Sequence, residues 1–122
     1  MRELKIGTRK YAKVVCYGVP GNGNDCHEYA VLNSHPSENS KDLPPLTYVR
    51  FQNGPIKEAG VNGCQNEDLI SMVIDRLQGF QEGAFACREN AIAMTKLEES
   101  LMWLRKRTQD REDRGVEGTN IK

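Results

Sequence analysis

The sequence predicts an α+β fold: a small N-terminal antiparallel β-sheet followed by a C-terminal two-helix antiparallel hairpin, built to work as an oligomer. Three observations carry that expectation. Residues 4–54 hold short runs of β-formers separated by turn residues, with no helical period between them. Residues 66–83 repeat apolar side chains at helical spacing behind a good helix start. Met94, Leu97, Leu101 and Leu104 then recur at three- and four-residue intervals, the seam of a second, packed helix. No repeat, low-complexity tract or linker divides the chain. It reads as a single domain over 1–122, with the sheet part in 1–64 and the hairpin and tail in 65–122.

In chain order, LKIGTRKYAKVVCYGV (4–19) predicts a strand or a bent pair of strands. PGNGND is a loop, because its glycines and asparagines accept tight and left-handed backbone. Its lone GxG is no phosphate loop, since no helix start follows to supply free N–H groups. CHEYAVLN (26–33) is the next strand, and SHPSENSKDLPP is a polar, proline-closed connection. LTYVRFQNG (46–54) predicts a strand with Tyr48, Arg50 and Gln52 on one side and Val49 and Phe51 on the other. GPIKEAGVNGCQ must turn the chain into the helices. Its glycines serve turning, and Gly60, Asn62 and Gly63 are also candidates for backbone contact with an anion.

The first helix, NEDLISMVIDRLQGFQEG, has Asn66 as its expected N-cap and Glu67 and Asp68 against the positive end of its dipole. Leu69, Val73, Leu77 and Phe80 form its expected inward stripe. EGAFA reverses the chain with Phe80 and Phe85 beside the turn. Ile92, Met102 and Trp103 lie off the second helix's seam, more apolar surface than the first helix can cover, so a second subunit is expected.

Composition bounds the chemistry. The 17 basic and 17 acidic residues cancel, which argues against a DNA or RNA binder and confines any anion site to a local patch. The four cysteines show no CxxC pair, so neither a metal site nor a disulfide is expected. No apolar run of signal-peptide or membrane-spanning length occurs, so neither a membrane partner nor secretion is expected. The expectation is a soluble protein of a reducing cytosol with free thiols.

The local patch stands at the end of the second helix. Arg107, Arg111 and Arg114 follow at i, i+4 and i+7 and share a face, where they repel one another unless an anion or an aromatic ring intervenes. Asp110, Glu112 and Asp113 offer a purely structural answer, and a phosphate-bearing ligand offers a functional one. Asn90 and Arg107 are 17 positions apart, ~25 Å along one helix, too far for a single nucleotide to touch comfortably. Antiparallel packing of two copies would bring the arginine end of one beside residues 88–90 of the other. Phe80 or Phe85 would then add an aromatic face, the set a purine nucleotide needs. A catalytic reading is weaker. His27 and His35 have no recognisable nucleophile or paired carboxylate, so no catalytic residue is expected and the chain does not read as an enzyme.

FQNGPIKEAGVNG, QNEDLISMVIDRLQGFQEGAFACRENA and LEESLMWLRKRTQDREDRGVEGT together resemble the phage Thoeris anti-defence proteins of the first type, whose helical hairpin is shared with the second type of anti-CBASS protein. The resemblance covers about residues 50–119 well and the sheet half more loosely. It implies a signal sponge in the cytoplasm of an infected bacterial cell, binding without cleavage a glycocyclic ADP-ribose made by TIR-domain immune enzymes. It also implies pockets at a homodimer interface, assembly into homohexamers and extra sites for cyclic di- or trinucleotides, with no cofactor. Phe80 would stack on adenine, Asn90 would make a polar contact, and Arg107 and Arg111 would face the phosphates. Arg88, Thr108, Arg114 and the backbone of Gly60, Asn62 and Gly63 complete the implied site. The rival functions are an enzyme degrading the same nucleotides and a purely structural oligomerisation module.

Overall fold

A computed structural model of the chain describes residues 1–7, 10–18, 25–34 and 44–122. These form two compact units, Met1–Gly54 with Ala59–Cys64, and Pro55–Glu58 with Gln65–Lys122. Most of the PGNGND and SHPSENSKDLPP loops, and His35, lie outside the described residues.

The first unit is an antiparallel meander in the order β1-β2-β3-β4, with β1 at Arg2–Glu3, β2 at Ala12–Tyr17, β3 at Glu28–Asn33 and β4 at Thr47–Arg50. The expected antiparallel sheet is therefore present, with shorter strands than the β-former runs. The register pairs Val15 with Ala30 and Cys16 with Tyr29, and the centre of the sheet is the best-buried place in the unit. Val15 is 2% exposed and Ala30 0%. Valine's branched side chain suits this pleated, covered surface, and alanine lets the neighbouring strands close over it.

The cysteines depart from the four free thiols that their spacing leads one to expect. Cys16 and Cys26 are joined by a disulfide, and only Cys64 and Cys87 are free. Their spacing of ten residues resembles no cysteine motif; Cys26 lies two residues before β3, and the path of the chain entering that strand carries it to Cys16, with the Cα atoms 6.4 Å apart.

After β4 the chain leaves the sheet and returns. Phe51 forms a parallel bridge with Cys64, through Gln52 N–H to Cys64 O and Cys64 N–H to Arg50 O, both 2.9 Å. The expected strand over 46–54 therefore ends at Arg50. The excursion is stitched by side chains: Asn62 Oδ1 accepts from Asn53 N–H, and Asn62 Nδ2 donates to Asn53 O. Gln52 Nε2 donates to Gly60 O at 2.7 Å while its Oε1 accepts from Asn62 N–H. Within the excursion a single helical turn, α1 (Ile56–Ala59), replaces the plain turn the glycines predicted.

The second unit is the helical hairpin, α2 (Asn66–Gln81) against α3 (Arg88–Asp113). The N-cap is Gln65, not Asn66, and Asp68 accepts the Gln65 N–H at 2.7 Å. The reversal is held by Gln81, whose side chain both accepts from Cys87 N–H and donates to Cys87 O. The seam of α3 is as the spacing predicts: Met94, Leu97 and Leu104 are half-buried and Leu101 is buried at 9% exposure. The stripe of α2 needs one correction. Val73 is 46% exposed, and the covered face runs through Ile70, Ile74 and Leu77 to Phe80 and Gln81. No helix of the described residues is long and apolar enough to cross a membrane.

α3 has 26 residues and α2 only 16, so the seam of α3 continues where α2 no longer covers it. The tail takes over. Gly115, at φ 72°, ends the helix with Val116 N–H on Arg111 O and Gly115 N–H on Glu112 O, the paired bonds of a Schellman stop. The following residues fold back along the helix, and Gly118 O accepts from Lys57 N–H at 3.1 Å.

Candidate functional site

The seam of α3, read onward at the same three–four spacing, reaches Thr108 and Arg111, both half-buried. Thr108 Oγ1 donates to Leu104 O one turn back, at 3.3 Å, a bond that keeps its hydroxyl on its own helix. Arg111 is almost fully engaged. Its Nη1 donates to Ile121 O at 2.9 Å, its Nη2 to Val116 O and Thr119 O at 3.0 Å, and its Nε stands 3.5 Å from Glu117 Oε2. Its side chain is 14% exposed. The guanidinium, with five donors in a fixed fork, holds the tail against α3 by its backbone.

The other arginines differ. Arg114 donates to Lys122 O. Arg107 is exposed and has no hydrogen bond or ion pair among the described residues. Two of the three acids expected to neutralise the arginine face are occupied elsewhere: Asp110 pairs with Lys106 at 3.0 Å, and Asp113 accepts from Gln109 at 2.9 Å. The balancing anion for Arg111 is Glu117, beyond the helix.

Arg107 opens onto a groove of about 690 Å³ between the last turns of α3 and the tail. Trp103, Lys106, Arg111 and Arg114 line it from the helix, and residues 119–122 from the tail. Among the described residues its cationic side chains outnumber Asp110, the one acid that lines it, which concentrates positive field in a chain of zero net charge. The size suits a ligand of nucleotide dimensions.

Phe80, Arg88 and Asn90 lie at the other end of the hairpin. Phe80 is half-buried, meets Phe85 edge-on at 6.2 Å, and carries the Arg76 guanidinium 5.1 Å from its ring centre. Asn90 is half-buried in the first turn of α3, its N–H directed at the Cys87 sulfur 3.4 Å away. The structure thus brings Arg107, Thr108, Arg111 and Arg114 together at one end and Phe80, Arg88 and Asn90 at the other. Arg76, against Phe80, went unnoticed in the sequence although its i, i+4 spacing marks it.

Gly60, Asn62 and Gly63 belong to the stitched excursion of the first unit. The Gly60 carbonyl and the Asn62 N–H and side-chain amide are all taken. At Gly63 a Cβ would stand 2.5 Å from the Phe51 carbonyl, so backbone packing already explains that glycine. Beside the excursion is a polar groove of about 420 Å³ lined by His27, Glu28, Arg50 and Asn53, among others. His27 is buried and neither ring nitrogen has a hydrogen-bond partner among the described residues; Asp25 Oδ2 is 3.5 Å from Nδ1. Glu28 is 3.5 Å from Arg50. The attraction of its carboxylate for the Tyr48 hydroxyl proton, then burial, then the carboxylate's charge raise that phenol above its ordinary value.

An antiparallel sheet followed by an unequal helical hairpin, with a cationic groove where the longer helix overhangs, defines a small α+β class of chain. The hairpin is a known one: the family model described as the Acb2/Tad1 hairpin domain matches residues 45–109, just over half of the chain. The chain belongs to the Acb2/Tad1 hairpin family. It is also 66% identical over 77 residues to a protein of Bacillus phage SBSphiJ7 named "Thoeris anti-defense 1". That match covers 63% of this chain and 54% of the relative, so the chain spans about half the relative's length.

Proposed function

We propose that this chain is a phage anti-defence sponge, acting in the cytoplasm of an infected bacterium. It binds glycocyclic ADP-ribose, the signal of TIR-domain immune enzymes, and holds it without cleaving it. The single observation that carries the reading beyond family membership is Arg107, which has no partner among the described residues and opens onto a groove of about 690 Å³. A guanidinium left without a carboxylate at such a place is suited to bidentate contact with a phosphate. Relatedness to a protein named for Thoeris anti-defence supports the biological setting.

The distance between the two clusters supports a pocket closed by a second copy. Asn90 and Arg107 are ~25 Å apart along α3, so a ligand meeting both would do so across antiparallel copies. Ile92 and Met102, 41% and 66% exposed, are the apolar surface available for that pairing and for a homohexamer. Cyclic di- or trinucleotides would occupy further sites of the assembly. A sponge acts by mass action, so its affinity must exceed the effector's, with each ~1.4 kcal/mol worth tenfold.

Calorimetry with glycocyclic ADP-ribose, followed by heat denaturation and chromatography of the released ligand, tests the proposal. Saturable binding with intact ligand recovered is the expected result. Recovery of a cleaved product would mean an enzyme instead, and absence of binding would leave a structural oligomerisation module.

A further inference from the structure

We propose that Trp103 is a base-stacking residue of the groove at the C-terminal end of α3. In this arrangement an aromatic base lies on the indole while its phosphate meets Arg107. The inference rests on the reading of that groove as a nucleotide site, and adds a subsite complete within one chain. Trp103 and Arg107 are four residues apart and so share a face of α3. The indole is 70% exposed, and both side chains line the same groove.

A large aromatic side chain exposed on a helix has two common occupants, an apolar partner surface or a flat ring. Here the surroundings favour the ring. Lys106, Arg107 and Arg114 make the neighbourhood cationic, which opposes burial against a second copy carrying the same charges and attracts an anion. A ligand that is both anionic and flat satisfies both features at once, and a nucleotide is the common molecule of that kind. The tail supplies the opposite wall. Its Ile121 side chain is 60% exposed and lines the groove, while its Ile121 carbonyl is gripped by Arg111. Arg111 is thus a positioning residue, holding the tail at a fixed separation from the indole.

Trp103 is the chain's single tryptophan, so its fluorescence reports this subsite alone. The experiment titrates the full chain with ADP-ribose and with ribose 5-phosphate, which lacks the base, and follows indole emission and calorimetric heat in parallel. Saturable quenching by ADP-ribose is expected, with none by ribose 5-phosphate. Trp103→Ala should weaken ADP-ribose binding at least tenfold, and Trp103→Tyr, which keeps an aromatic face, should restore most of it. Calorimetric binding with unchanged emission and equal affinity in Trp103→Ala would overturn the stacking role while leaving the nucleotide reading intact. No heat with either compound or with glycocyclic ADP-ribose would remove both. Emission that follows protein concentration and ignores ligand would assign the indole to a contact between copies, and also overturn the proposal.

Discussion

Arg107 and Arg111 stand one turn apart on α3, and the structure uses them in opposite ways. Arg111 spends its donors on three tail carbonyls and Glu117, whereas Arg107 is exposed with no partner among the described residues. Changing both together would confuse folding with binding, so they should be changed singly. Arg111→Ala should lower unfolding free energy by about 2–3 kcal/mol, because charge-assisted bonds are lost and carbonyls are stranded. Arg107→Ala should change it by less than about 0.5 kcal/mol, as expected of an exposed side chain without partners. Urea denaturation of the two variants checks this, and equal losses would refute the division of labour.

Leu101 is the buried apolar residue of the hairpin, at 9% exposure. Leu101→Ala should cost about 2–3 kcal/mol, from lost transfer energy and the cavity left behind. Val73→Ala, at a position 46% exposed, should cost under about 1 kcal/mol if the chain is studied dilute enough to be monomeric. A larger loss at Val73 than at Leu101 would reverse the assigned face of α2.

Gly63 is demanded by closeness, not by its dihedral angle. A methyl there would stand 2.5 Å from the Phe51 carbonyl carbon and oxygen and would break the bridge between Phe51 and Cys64. Gly63→Ala should therefore destabilise by about 2–4 kcal/mol, in the range of overpacking and broken ladder bonds. Gly60 has φ 73° and open space around it, so Gly60→Ala should cost only about 1–2 kcal/mol of backbone strain. Hydrogen exchange at the Cys64 N–H should report the first change and not the second.

Tyr48 provides a titration test of the sheet. Its phenol lies above the ordinary 10.0 chiefly because the Glu28 carboxylate attracts its hydroxyl proton, with lesser contributions from burial and from the negative charge of Glu28. A folded value above the unfolded one means that the stabilisation is fully present below pH 10.0 and fades as pH rises through the folded value. Ultraviolet titration should find Tyr48 ionising above pH 10.0, and Glu28→Gln should lower its value. An unchanged curve in that variant would discount the Tyr48–Glu28 interaction.

The elements of this fold were legible where a local period announces them. Met94, Leu97, Leu101 and Leu104 are self-evident at three–four spacing, and the antiparallel meander follows from β-former runs with no helix between them. The exposure of Val73 is not legible because α2 has apolar residues on more than one face, so its stripe can be drawn through 69 and 73 or through 70 and 74. The disulfide is hidden because Cys26 lies outside the paired strands, and only the path of the chain into β3 brings it to Cys16. Within the candidate site, the arginine face was visible but its internal division was not. What separates Arg111 from Arg107 is a set of main-chain carbonyls, and carbonyls leave no mark on a sequence.

That grip on carbonyls has an evolutionary reading. Arg111 recognises the tail through groups that every residue carries. Selection acting on it constrains the path of the last segment and the number of residues between the helix stop and residue 121, while leaving side-chain identity there comparatively free. Substitutions could therefore accumulate along the groove wall and retune ligand preference without loosening the fold. Insertions or deletions of a single residue would slip every carbonyl out of register with the guanidinium.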